Sequence, residues 1–426
     1  MKNEITQRLD TIRRGETPDG YKKTGVGIIP NNWTTRALSD VINNLQAGVS
    51  VNSNARNDTG YYVLKTSAIS NGKVKLEEAK PVVDCDVKRL KCPVEQGCIM
   101  ISRMNTPALV GACGYVNQSS QHVFLPDRLW LARNAIPDRC SFVWLNYLLN
   151  SARYKTAIQS LATGTSNSMK NISKQALLEL TICFLPIKEQ QKIVEILAVQ
   201  DKVIELKEKR ITEKQRQKKY LMQQLLTGKK RLKGFSGEWI TQELGAMFSE
   251  RIEKNCEDLQ LLAITGTKGV VPRTELDLKD NSSEDKSKYL RICAGDIGYN
   301  TMRMWQGVSA YSNYEGIVSP AYTILKPKNS VDAKYFAYLF KLQEIVFLFY
   351  RFSQGLVDDT RNLKYSNLKK IHVSYPIDIN EQSAIVEVLS TSDNEILLLQ
   401  KDLEQEKLKK KALMQLLLTG IVRVSA

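Results

Sequence analysis

The residues from Glu189 to Gly228 recur, without a gap and at a constant offset of 192, from Glu381 to Gly420. Identity is densest at the two ends. Glu189, Gln190, Ile193, Val194, Glu195, Leu197 and Asp201 return as Glu381, Gln382, Ile385, Val386, Glu387, Leu389 and Asp393. Leu221, Met222, Gln223, Leu225, Leu226, Thr227 and Gly228 return as Leu413, Met414, Gln415, Leu417, Leu418, Thr419 and Gly420. Two copies are too few for a solenoid, so the chain is a duplicated unit in which a globular segment is followed by a helix.

The helical assignment rests on period. Leu197, Ile204 and Ile211 fall seven apart and, after a lysine, continue to Leu225; Leu389, Ile396 and Leu403 continue to Leu417 in the same register. Pro186 and Pro376 stand ahead of the helices, where a missing amide proton does no harm, and Gly228 and Gly420 stand where a helix needs a left-handed terminator. At 1.5 Å rise per residue each helix would be roughly 60 Å long, a spacer rather than the core helix of a compact domain. An antiparallel coiled-coil hairpin holding two domains explains the heptads by itself. Duplication adds a second reading, in which two like helices pack about a pseudo-two-fold axis and display the globular segments as near-symmetric arms. That geometry suits a long, roughly symmetric target.

Charge narrows the target. Among 426 residues Lys and Arg number 61 against 45 Asp and Glu, a formal charge of +16. This points to a polyanion, most commonly nucleic acid. Lys207, Lys209, Arg210, Lys214, Arg216, Lys218, Lys219, Lys229, Lys230, Arg231 and Lys233 run along the first helix and its exit, although a solvated helix face accounts for such a run equally well. The eight cysteines have no paired short spacing and the only histidines are His122 and His372, which argues against a zinc module. The charged start MKNEITQRLD has no apolar run, and no stretch reaches the roughly 20 apolar residues of a membrane span. Free thiols in a reducing cytoplasm are the expectation.

The expected organisation is an arm over 1–29, a globular domain over 30–185, a helix over 186–232, a second globular domain over 233–375 and a helix over 376–426. Both globular segments open with a turn and a tryptophan: Gly27, Pro30, Trp33 and Leu38 in one, Gly234, Gly237, Trp239 and Leu244 in the other. β-rich runs follow at Tyr61 to Leu64, Cys98 to Ser102 and Gly114 to Val116, and at Leu261 to Thr265, Asp296 to Asn300 and Ala321 to Leu325. Ser141 to Ser160 and Ala333 to Phe352 read as amphipathic helices. The fold class is therefore α+β: two small mixed domains separated by two long repeated helices.

Polar loops punctuate the strands in comparable places. Ser102, Arg103 and Asn105, then Asp127 and Arg128, then Lys170 and Asn171 in GTSNSMKN are answered by Asn300 and Arg303, then Ser319 and Pro320, then Asp359, Thr360, Arg361 and Asn362 in GLVDDTRN. Arg pairs bidentately with guanine and Asn with adenine in a major groove, while Lys and Ser fix phosphates. Singly, each such residue is more often a loop-capping or surface group; recurrence at parallel places shifts that balance without reversing it for any one of them.

Signatures of chemistry are missing. There is no Walker A pattern, GxSxG, HExxH, or Asn-Pro-Pro-aromatic tetrapeptide. Gly266 and Gly269 in LAITGTKGVV lack the spacing of a phosphate loop, and Glu77, Glu78 and Lys80 are a charge triplet of a kind common by chance. A non-catalytic chain is expected.

The helix openings PIKEQQKIVEIL and PIDINEQSAIVEVL, the exits LMQQLLTG and LMQLLLTG, and the domain openings GIIPNNW and GFSGEW resemble the DNA specificity subunits of type I restriction-modification systems. The resemblance covers nearly the whole chain. ISRMNTPALVGACGYV and FLPDRLW, and TGTKGVVPR, DKSKYLRICAGDIGYNTMRMWQG and GIVSPAY, are similar to that family's target-recognition domains. It implies that each domain reads one half of a bipartite double-stranded DNA site, while the helices pack antiparallel and fix the spacer. Chemistry would lie with partners: methyltransferase subunits binding S-adenosylmethionine and, where present, a motor-nuclease subunit using ATP and Mg, with no cofactor in this chain.

On that resemblance Arg103, Asn105, Arg128, Lys170 and Asn171 would face DNA from the first domain, and Lys268, Arg273, Asn300, Arg303, Arg361 and Asn362 from the second. Leu197, Ile204, Ile211, Leu389, Ile396 and Leu403 would form the helix seam. Glu189, Gln190, Leu221 and Leu225, with Glu381, Gln382, Leu413 and Leu417, are candidate methyltransferase contacts. A scaffold with nonspecific DNA binding, and a specificity subunit serving methylation alone, are the competing readings.

Overall fold

The computed structural model describes residues 2–54, 58–164, 169–266, 268–276, 285–328 and 331–424. Residues 165–168 of the GTSNSMKN string lie outside them. The chain divides into two compact units, one made of Met1–Leu206 with Leu403–Ala426 and the other of Lys207–Asp402.

The first unit is built on a six-stranded sheet in the order Ile42–Ala47, Leu129–Asn134, Ile99–Ser102, Cys113–Tyr115, Gly72–Val74, Ile69–Ser70. Ile99–Ser102 is buried along its whole length, as its unbroken apolar run requires of a strand covered on both faces. A second sheet, Ala79–Pro81, Tyr62–Leu64, Ser120–Phe124, Pro93–Val94, encloses a smaller core around Leu64, Met100 and Leu131. The second unit has a leaner sheet in the order Phe248–Arg251, Tyr322–Pro327, Ile297–Asn300, Ser309–Tyr311, paired antiparallel throughout. The expected strands form with edges moved by one or two residues.

Both helices expected inside the globular segments are broken in two. Phe142–Leu149 is followed by Ala152–Ser160, and Ala333–Leu339 by Gln343–Phe352. Ser151 and Leu342 take extended conformations as the caps of the second helices, and the Ser151 hydroxyl donates to Leu148 O at 2.7 Å. Amphipathic period persists across such a break, so it could not reveal one.

The long helices run Ile187–Leu225 and Ile379–Leu418, and Gly228 and Gly420 terminate them at φ +70° and +72°. Each unit's core takes the start of one helix and the end of the other. Ile193 and Leu197 join Leu417 and Leu418 around Trp33 and Trp144 in the first unit; Ile385 and Leu389 join Leu225 and Leu226 around Phe336 and Phe340 in the second. In the second unit the two helix segments are antiparallel, since Lys207, Lys214 and Lys218 pair with Asp402, Glu395 and Asp393 in falling order, and in the first unit Asp201 pairs with Lys410. Of the expected seam, Leu197, Ile211, Leu389, Ile396 and Leu403 are buried and Ile204 is half-buried.

The repeated polar residues at the helix ends have a different role from the one expected of them. Glu189 accepts from Trp33 Nε1 at 2.9 Å and from Arg423 Nε and Nη2 at 2.8 and 3.1 Å. Glu381 accepts from Arg231 at 2.5 and 2.6 Å. Gln190 accepts from Ser141 N and donates to Arg139 O and Leu185 O; Gln382 accepts from Asp332 N and donates to Pro376 O. These four side chains, with Leu225 and Leu417, are buried in the chain's own fold, so they fasten each globular segment to its helices and offer a partner no surface. Leu221 and Leu413 remain half-exposed. The basic run is partly neutralised in the same way: Lys207, Lys214, Lys218 and Arg231 pair with Asp402, Glu395, Asp393 and Glu381.

Candidate nucleic-acid interface

In the first unit five residues separated in sequence meet at one end of the sheet. Arg103 follows strand Ile99–Ser102; its amide donates to Arg128 O at 3.0 Å, and its carbonyl accepts from Ile172 N at 2.9 Å. Two short strands, Met104–Asn105 and Lys170–Asn171, pair antiparallel with Asn105 opposite Lys170. The Arg103 guanidinium lies 5.6 Å from the centre of the Trp130 ring and donates to Asn171 Oδ1 at 3.5 Å. Asn105 is occupied locally, donating to the Ser102 hydroxyl and accepting from Thr106 N. Lys170 Nζ donates to Gly164 O at 2.5 Å, and Arg128 is exposed.

The second unit builds the same frame from other residues. Thr301 stands where Arg103 does: its amide donates to Ala321 O at 3.2 Å and its carbonyl accepts from Leu363 N at 2.9 Å. The hairpin closed by Thr163 and Asn171 in the first unit, with Gly164 at φ +131°, is closed by Gln354 and Asn362 in the second, with Gly355 at φ +141°. A Cβ on Gly355 would lie 2.7 Å from Thr360 O, so the crossing of the hairpin's own backbone requires glycine.

The second unit's candidates separate into two kinds. Arg303 is exposed just past Asn300, whose side-chain oxygen accepts from Met302 N at 2.9 Å. Lys268 sits exposed in the turn between Leu262–Thr265 and Gly269–Pro272, and Arg273 follows that hairpin. Arg361, by contrast, stacks at 4.1 Å on the Tyr350 ring, donates to the Tyr350 hydroxyl at 2.9 Å and pairs with Asp358 at 2.8 Å. Asn362 turns inward, its Oδ1 buried without a partner among the described residues. Sequence reasoning missed Trp130 and Tyr350, the aromatic supports of the two arginines, because aromatic residues beside apolar runs are indistinguishable from core.

Lys341 reaches the loop that follows Arg303. Its stem is exposed, but its ammonium turns in to donate to Gly307 O at 2.8 Å and Ser309 O at 2.5 Å. Desolvation, with the charge of Lys218 added, lowers it to about 8.

The same loop frame is thus built twice, once in each unit, with different side chains hung on it. The model for the type I restriction modification DNA specificity domain matches residues 30–216 and 268–409, and the chain belongs to that family. A candidate type I restriction enzyme MjaX specificity subunit of Methanocaldococcus jannaschii is 25% identical over 436 residues, spanning 95% of this chain and 97% of that one. The MjaVIII specificity subunit of the same organism is 26% identical over 220 residues, 51% of this chain and 50% of that one. Among solved structures, the type I restriction-modification S subunit from M. genitalium superimposes with a TM-score of 0.52 at 18% identity, over 91% of this chain and 96% of that one. A chain from a structure of type I R-M complex assembly and conformational transition gives 0.56 at 14%, over 92% and 99%. The family match, the MjaX likeness and both structural likenesses reach both halves of the chain. No described helix is long and apolar enough to cross a membrane.

Proposed function

We propose that each globular domain reads one half of a bipartite, gapped DNA site, and that the two long helices hold the domains apart at a set spacing and seat methyltransferase subunits. The observation that carries this reading is the twice-built loop frame: Arg103 and Thr301 occupy one backbone position, and the hairpins closed by Asn171 and Asn362 another, with different side chains hung on each. Arg128 and Arg303 at these loops, and Lys268 in the neighbouring hairpin turn, are exposed basic groups that would make direct base and phosphate contacts. Arg103, Asn105, Lys170, Asn171, Asn300, Arg361 and Asn362 are engaged inside the frame and would act by fixing loop shape as much as by touching DNA; Arg273 would contact the backbone beside Lys268.

The chain would supply the address and its partners the reaction. S-adenosylmethionine would be held by the methyltransferase subunits, and ATP with Mg by a motor-nuclease subunit where one exists. Half-exposed Leu221 and Leu413 are the remaining helix-end candidates for partner contact.

Modification-sensitive sequencing tests the reading. Cells expressing this chain with its neighbouring methyltransferase should carry methyladenine at one gapped motif that vanishes when this chain alone is deleted. Methylation that persists without the chain would mean that it confers no specificity.

A further inference from the structure

The hairpin of the second unit presents an apolar tip. Leu356 is 99% exposed and Val357 beside it 59%, in a loop otherwise bound to itself. Thr360 Oγ1 donates to Val357 O at 3.0 Å, Arg361 N donates to Asp358 O, and Gln354 and Asn362 close the base. Arg361 is held by Tyr350 and Asp358, and Asn362 faces inward. Thr360 and Arg361, two of the polar residues that sequence picked out here, are therefore engaged by the loop and by Tyr350 of the helix before it. What it offers outward is an isobutyl group on a preorganised support, so contact costs little conformational entropy.

Charge and position identify what covers it. The Leu356 hairpin joins the Arg303 loop through Leu363 N and Thr301 O, and exposed Arg351 and Lys364 flank it in sequence, while Asp358 is matched by Arg361. An apolar tip joined to the Arg303 loop, with Arg351 and Lys364 near it in sequence, suits a polyanion with apolar groups in its grooves. In the major groove the one apolar group on a base edge is the thymine C5-methyl.

Resting on the DNA-reading function proposed above, we infer that Leu356 is a specificity-determining residue that contacts a thymine methyl in the half-site read by the second domain. It adds an apolar contact to whatever hydrogen bonds read the same base pair. Burying one methyl-sized contact is worth about 0.8 kcal/mol, or roughly fourfold in binding.

The test uses the chain co-expressed with its methyltransferase partner. Wild type and Leu356→Ala are compared by modification-sensitive sequencing, and then by binding of the purified complexes to duplexes carrying thymine or uracil at each thymine of the half-site. Leu356→Ala should relax one thymine position and leave the other half-site and the spacer unchanged. Uracil at that position should weaken wild-type binding roughly fourfold and leave Leu356→Ala indifferent. An unchanged motif, a half-site without thymine, or a uniform loss of methylation with no thymine dependence would each overturn the inference, the last by placing Leu356 against a protein subunit. Failure of the underlying reading looks different, because wild type itself would then give no gapped motif.

Discussion

Lys410 pairs with Asp201 at 2.5 Å while its ammonium lies over the Tyr147 ring, whose hydroxyl donates to the same carboxylate at 2.6 Å. Lys218, Asp393 and Tyr338 repeat the arrangement, with distances of 2.5 and 2.7 Å. Each triad ties a globular segment to both helix segments of its unit, so it fixes the rotation of the segment about the helices. Removing one hydrogen bond to a charged group costs about 1.5–3 kcal/mol. Tyr147→Phe and Tyr338→Phe should each lower stability by that order, with faster amide exchange confined to the unit that carries the change. Exchange that accelerates equally in both units would show that the triads are not local fasteners.

Gln190 and Gln382 should be the least replaceable polar residues of the chain. Gln190 satisfies Ser141 N, Arg139 O and Leu185 O, and alanine would strand three backbone groups in a buried site. Since each unsatisfied group costs about 1–3 kcal/mol, Gln190→Ala should reduce soluble yield sharply, whereas Gln175→Ala, at an exposed site, should not. Denaturant titration that leaves the Gln190→Ala midpoint within error of wild type would refute this role.

The two helix terminators differ in the room around them. Both need a left-handed conformation, which costs a non-glycine residue about 1–2 kcal/mol. A Cβ at Gly420 would also sit 2.5 Å from Pro30 Cγ, whereas at Gly228 it would meet the Trp239 ring at 3.3 Å. Overpacking adds about 1–3 kcal/mol. Gly420→Ala should therefore destabilise its unit more than Gly228→Ala does, as read by thermal unfolding; equal shifts would mean that the Pro30 contact relaxes freely.

Much of this was legible from the repeat, and the limits of that legibility are physical. Heptad spacing picked out Leu197, Ile211, Leu389, Ile396 and Leu403, which are buried, and Ile204, which is half-buried, and the parallel placing of Arg103 with Asn300 and Arg303, and of Asn171 with Asn362, anticipated a shared loop frame. Which end of which helix packs on which globular segment was not legible, because Leu225 and Leu417 stand in closely similar sequence contexts and only three-dimensional packing distinguishes their neighbours. The repeated Glu and Gln residues are candidate partner contacts on the resemblance alone; the glutamates' own partners, Arg423 and Arg231, lie far away in sequence. Leu356 escaped notice because a loop valued for its polar residues was read past its apolar ones.

Stability should carry a pH signature from Lys341. Its folded value is lowered to about 8 from 10.5, so between these values the unfolded state binds more protons and stability rises with pH. Below about 8 both states are protonated and the penalty of the desolvated ammonium is present in full. Buried tyrosines act in the opposite sense, since their raised values keep protons on the folded state above pH 10. The difference between wild type and Lys341→Met isolates the lysine: wild-type stability should gain on the variant from about pH 8 upward. Urea melts that give a difference independent of pH from 7 to 10 would show that the ammonium is solvated.

Arg303 and Arg361 lie on adjoining loops, and their substitutions should have distinct consequences. Arg303 is exposed, so Arg303→Ala should cost about 1–3 kcal/mol of binding and relax a single base position, as expected for loss of one direct contact. Arg361 is held between Tyr350 and Asp358, so Arg361→Ala should loosen the hairpin and blur several positions of the same half-site at once. Tyr350→Phe, which removes one donor–acceptor pair and keeps the ring, should give a milder form of the Arg361 effect and none of the Arg303 effect. The methylation motifs of the three variants decide between the roles: a single relaxed position in Arg361→Ala would make it a direct reader, and an unchanged motif in Arg303→Ala would remove that residue from the interface.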